Sequence, residues 1–140
     1  MGGIHIPFEK GALGHSDGDV LLHSIVDGML GAIGEGDIGD HFSDKNKKFK
    51  GIRSEKIVRS ILEKCRAKGW TPSQVDTVII LEKPWLGAYK NQIRNRIAKM
   101  LGIPEDFVSI KAKTMEGLGP EGEGLAITCE ALVMMKRSFS

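Results

Sequence analysis

A chain of 140 residues with 20 basic and 18 acidic side chains, a net charge of +2 and 41% hydrophobic residues has the composition of one soluble globular domain. That balance gives no reason to expect nucleic acid as a partner, and no apolar run approaches the ~20 residues of a membrane helix. There is no recognisable signal peptide, and Cys65 and Cys129 sit in apolar-patterned segments. Reduced, buried thiols and a cytoplasmic location are therefore expected, with a disulfide between the two as the alternative.

Ile4, Ile6 and Phe8 alternate with His5 and Pro7, which predicts a short first strand. From Asp17 to Ile33 the residues Val20, Leu21, Ile25, Met29, Leu30 and Ile33 keep helical spacing, with Ser16 or Asp17 able to cap and Gly34 and Gly36 as stops. The polar stretch from Asp37 to Ile52, with Lys45, Lys47, Lys48 and Lys50, reads as a mobile loop. A second helix is predicted from Ser54 to Lys68, turning Ile57, Val58, Ile61, Leu62 and Cys65 inward before Gly69. Gln74 to Leu81 reads as a strand whose VIIL run suggests burial on both faces. A third helix covers Tyr89 to Leu101, and strands over Phe107–Thr114 and Gly124–Met135 flank the glycine-rich loop MEGLGPEGEG. This order predicts an α+β (α/β-like) fold, a mixed β-sheet with helices on one face, over residues 1–140 as a single domain.

Three polar groups carry possible chemistry. In GHSDGDVLLH, His15 precedes a helix start, where free backbone N–H groups and the dipole suit an anion. Asp19 and His23 lie four apart on one helical face. The spacing suits a metal-binding histidine beside a carboxylate, and equally an intrahelical pair with a cap. GDIGDHFSD could wrap a sugar or phosphate, or be a solvated loop. In KAKTMEG, lysine and hydroxyl groups (Lys111, Lys113, Thr114) could hold phosphate while Glu116 takes a hard divalent cation.

The stretches IPFEKGALGHSDGDVLLH, GDIGDHFSD, LEKPWLGAYKNQIRNRIAKMLGI, VSIKAKTMEGLG and GEGLAITCEALV resemble, in order and over nearly the whole chain, the 2-C-methyl-D-erythritol 2,4-cyclodiphosphate synthases of non-mevalonate isoprenoid biosynthesis. The resemblance implies a homotrimer with sheets lining its axis and active sites between subunits. It implies an enzyme, a phosphorus–oxygen lyase, that closes 4-diphosphocytidyl-2-C-methyl-D-erythritol 2-phosphate to the cyclic diphosphate and releases CMP. By position, His15 and Thr114 would stabilise the transition state, His23 would bind zinc, and Glu116 would bind magnesium or manganese. Asp37, Ile38, Gly39, Phe42, Ser43, Asp44, Lys45 and Asn46 would form the methylerythritol phosphate pocket. Leu81, Pro84, Trp85, Leu86 and Gly87 belong to the cytosine loop, and His15, Ser16, Lys113, Thr114, Met115 and Glu116 border the phosphates.

The chain departs from that pattern in four places. Trp85 replaces a usual lysine, Lys113 replaces a common threonine, and the loop after Glu116 is about two residues short, without its arginine. The Asp-x-His pair that completes the zinc ligands precedes the point where MGGIHIP aligns, so the zinc site is expected to be incomplete in these 140 residues. Two other functions fit parts of the pattern: a non-catalytic trimer of the same fold that binds cytidine phosphates, and an unrelated metal phosphohydrolase.

Overall fold

The apolar rows at helical spacing form three helices in the computed structural model, which describes residues 1–4, 19–43, 45, 47 and 52–138. The first, α1 (Val20–Ala32), buries Leu21, Leu22, Ile25, Val26, Met29 and Leu30. It starts three residues later than the spacing suggested, because Asp19 is the cap and its side chain accepts from Leu22 N. Ser16 and Asp17, the expected caps, lie outside the described residues, as does the predicted first strand except Ile4, which closes a turn onto Met1 O at 2.9 Å.

The Asp37–Ile52 stretch contains a short helix, α2 (Ile38–His41), that was expected to be loop. A reciprocal capping box makes it: the Asp37 side chain accepts from Asp40 N while the Asp40 side chain accepts from Asp37 N. Next comes α3 (Ser54–Ala67), whose five predicted core residues are all buried. The fourth helix, α4 (Lys90–Leu101), buries Ile93, Ile97, Ala98 and Leu101, and a one-turn helix, α5 (Gly119–Gly122), sits within the glycine-rich loop.

The described residues form three strands, β1 (Trp70–Ile80), β2 (Val108–Lys113) and β3 (Thr128–Arg137), in the order β2-β1-β3. β1 runs parallel to β2 and antiparallel to β3. β1 begins four residues before its predicted start, in spite of Pro72. There β1 pairs with β3 alone, since β2 joins only from Val75 onward, so the missing N–H costs no ladder bond on the free side. β3 begins at Thr128 rather than Gly124, because α5 and its following turn occupy the preceding residues.

Helices α1, α3 and α4 cover one face of this sheet. Val75, Thr77, Ile79, Val108 and Val133 point into the resulting core, and the Thr77 hydroxyl donates to Ser109 O at 2.8 Å. Gly28 lets α1 lie directly on β3: a Cβ there would stand 2.6 Å from Val133 Cγ2. The two-faced burial expected of VIIL is not found. Ile79 and Leu81 are buried, whereas Val78 and Ile80 are only half-covered, because no element among the described residues lies on the other face of the sheet. Both cysteines are free thiols, and burial pushes Cys129 up to about 12, with the Asp19 charge adding to the effect. Among the described residues no helix is long and apolar enough to cross a membrane.

Candidate active site

Because β1 and β2 are parallel, both strands end at the same edge, and two predicted site segments leave from it. Leu81 N donates to Lys113 O at 3.0 Å, which ties the first residue after β1 to the last of β2. The 81–87 turn is anchored by its buried ends, Leu81 and Leu86, and contains a cis Lys83–Pro84 bond. Trp85 is 78% exposed and lies over Gly87 so closely that a Cβ at Gly87 would overlap the indole. The segment from Lys113 through Thr114 and Met115 to Glu116 is exposed.

Its conformation is specific. The Thr114 hydroxyl oxygen accepts from Glu116 N at 3.2 Å, and Glu116 has φ +52°, the one non-glycine residue in the left-handed region among those described. Such backbone costs ~1–3 kcal/mol and recurs where a side chain must be aimed at a ligand. Beyond the turn, Thr128 Oγ1 donates to Glu121 Oε1 at 2.8 Å and holds that carboxyl below its ordinary value. Lys111, a predicted phosphate holder, pairs with a carboxylate on the open sheet face: its ammonium lies 2.9 Å from Asp76 Oδ1. That hydrogen-bonded partner is the main cause of a lowered Asp76 pKa.

A second group forms around α2. Asp37, Gly39 and Lys45 are exposed and Ile38, Phe42 and Ser43 half-exposed, so this surface is open to a ligand. Asp44 and Asn46 lie outside the described residues.

The third group is the metal candidate. His23 Nε2 lies 2.9 Å from Oγ of Ser54, which is fully buried at the first position of α3. The carboxylate of Asp19 is engaged by backbone: it accepts from Gly2 N at 3.0 Å, Gly3 N at 2.9 Å and Leu22 N at 3.1 Å. The two readings of this spacing thus separate. Asp19 caps α1 and anchors the Gly2–Gly3 turn, while His23 reaches across to α3. Among the described residues no three His, Cys, Asp or Glu side chains are grouped to hold a metal ion. They supply one zinc-type donor, His23, where a zinc site needs three or four. His15 and Ser16, predicted at the reacting phosphates, lie outside the described residues.

Three site partners escaped the sequence reading: Ser54, Asp27 and His41. Asp27 Oδ1 accepts from Ile38 N at 2.8 Å, which attaches α2 to α1. Asp19, His23 and Asp27 follow one another at intervals of four, so extending the helical face by one turn finds it. Nothing in the local pattern points to Ser54, which meets His23 only through the packing of α3 on α1.

An α+β chain with polar turns gathered at the carboxyl ends of parallel strands is a common frame for binding phosphorylated ligands. The model of the YgbB family matches residues 1–136. A 2-C-methyl-D-erythritol 2,4-cyclodiphosphate synthase from Halalkalibacterium halodurans is 47% identical over 135 residues, covering 96% of this chain and 86% of that protein. A solved structure of such a synthase, in a form bound to CDP, superposes with a TM-score of 0.88 at 33% identity, covering 96% of this chain and 87% of that one. The bifunctional IspDF from Campylobacter jejuni gives a TM-score of 0.92 at 34% identity, with 97% of this chain matching 37% of that longer one. The chain therefore belongs to the YgbB family, whose relatives named here are 2-C-methyl-D-erythritol 2,4-cyclodiphosphate synthases.

Proposed function

We propose that this chain is an enzyme of isoprenoid biosynthesis that converts 4-diphosphocytidyl-2-C-methyl-D-erythritol 2-phosphate to 2-C-methyl-D-erythritol 2,4-cyclodiphosphate and CMP. The observation that carries the proposal is the junction of the 81–87 turn with the Lys113–Glu116 turn, where Glu116 keeps its strained backbone. It offers a site for a base beside a site for a diphosphate.

In the reaction an oxygen of the 2-phosphate attacks the β-phosphorus, a new P–O bond closes the ring, and the bond from the β-phosphorus to the bridging oxygen breaks. CMP leaves with that oxygen. The attacking phosphate is already ionised at neutral pH, so the reaction requires no dedicated general base. The protein's task is positioning and charge neutralisation. The backbone of 81–87 holds cytosine, with Trp85 packing beside it. Lys113 and Thr114 donate to phosphate oxygens, His15 joins Thr114 in stabilising the transition state, as in the family it resembles, and the α2 segment holds the methylerythritol phosphate. Glu116 is a fitting ligand for magnesium or manganese, which bind through one or two carboxylates plus substrate phosphates. Such an ion, when bound, neutralises charge developing between the α- and β-phosphates.

The open sheet face supports assembly as a homotrimer. Leu132 and Met134 are 67% and 53% exposed on it, beside half-covered Val78 and Ile80, and such apolar area is what subunit contacts cover. A cytoplasmic enzyme acting on a soluble nucleotide-linked substrate needs neither membrane nor nucleic acid as partner.

Incubation of the protein with substrate and magnesium is expected to yield cyclic diphosphate and CMP in equal amounts. CDP binding without product would instead support a non-catalytic cytidine-phosphate binder, and release of inorganic phosphate would support a phosphohydrolase.

A further inference from the structure

The four residues of α2 cannot hold their own place. A single helical turn is far below the length at which helices persist alone, and no residue of α2 is buried. Its capping box shapes it but links Asp37 only to Asp40. Polar contacts from three other elements attach it. Asp27, an exposed residue of α1, accepts from Ile38 N at 2.8 Å. His41 Nε2 lies 2.8 Å from Glu35 O, in the turn after α1, and Lys64 Nζ of α3 lies 3.0 Å from His41 Nδ1. A carbonyl accepts only and an ammonium donates only, so hydrogen bonds to both partners call for the Nε2–H tautomer of the ring. The Lys64 ammonium also lies 5.9 Å from the centre of the Phe42 ring, and Lys68 pairs with Glu35.

We propose that Asp27 and His41 are positioning residues for the substrate: they latch α2 onto α1 and α3, and so hold the surface from Asp37 to Ser43 in its binding shape. This rests on the reading of that surface as the methylerythritol phosphate pocket. Neither residue needs to touch substrate. Asp27 fixes the start of α2 and His41 its end, so losing either frees one end of the pocket while the core, which uses neither side chain, stays packed.

Asp27→Ala and His41→Ala are therefore expected to keep the melting temperature within a degree or two. Amide hydrogen exchange across residues 38–42 should be faster in both, since an unlatched turn opens locally. KM for the full substrate should rise roughly threefold to tenfold, the scale of one exposed charge-assisted hydrogen bond. The dissociation constant for CDP, which occupies the other end of the site, should not change. Asp27→Asn retains a carbonyl oxygen able to accept from Ile38 N, and should recover most of the loss. Unchanged exchange in both alanine variants would overturn the latch. Faster exchange with unchanged KM would overturn its role toward substrate. Wild-type protein that neither binds CDP nor turns substrate over would remove the functional reading, and the positioning role with it, while leaving the exchange result to stand as a matter of fold.

Discussion

The two faces of β1 differ in what covers them. Val75, Thr77 and Ile79 are at most 1% exposed beneath the helices, while Asp76, Val78 and Ile80, one residue out of phase, face no element among the described residues. The packed face holds the fold together, whereas the turns at the sheet edge carry the groups assigned to cytosine and the diphosphate, and the open face those assigned to other subunits. Substitutions on the two should therefore fail in different ways.

The largest effect on stability is expected at the packed face. Ile79→Ala should lower unfolding free energy by ~2–5 kcal/mol, read from the denaturant midpoint, because a fully buried side chain leaves a cavity. Leu132→Glu on the open face should leave the folded content of the chain intact and lower its mass in sedimentation from three chains to one. Equal losses of stability in both would mean that the open face is not a free surface of the folded chain.

Glu116→Gln should come next. Turnover should drop by ~10²–10³, the usual result of removing one electrostatic stabiliser. Its melting temperature should hold, because the backbone bond from Glu116 N to Thr114 Oγ1 does not involve the carboxylate. A variant with full turnover in magnesium would remove Glu116 from the site, and a lowered melting temperature would make it a turn residue only.

Trp85→Ala should have the smallest effect. Loss of aromatic packing worth ~0.5–1.5 kcal/mol weakens CMP binding a few-fold without altering the preference for cytosine. Equal affinity for uridine and cytidine nucleotides in that variant would show that the indole reads the base.

Much of this could be read from residue order. Ile57, Val58, Ile61, Leu62 and Cys65 follow the helical period, and all are buried. A candidate site can be picked out where its residues are contiguous, as in KAKTMEG, whereas α2 was missed because a four-residue helix is too short for periodicity. Its capping box, Asp37 and Asp40, was present as a local signal all the same.

The sequence by itself determined the three long helices, the three later strand segments and the family, because each depends on near neighbours in the chain. Only the tertiary structure decided that Lys111 pairs with Asp76, that Ser54 meets His23, and that the described residues cover just one face of VIIL. These facts depend on which distant segments the sheet register and helix packing bring together. The burial period of a strand tells which residues share a face, but not whether anything lies against it.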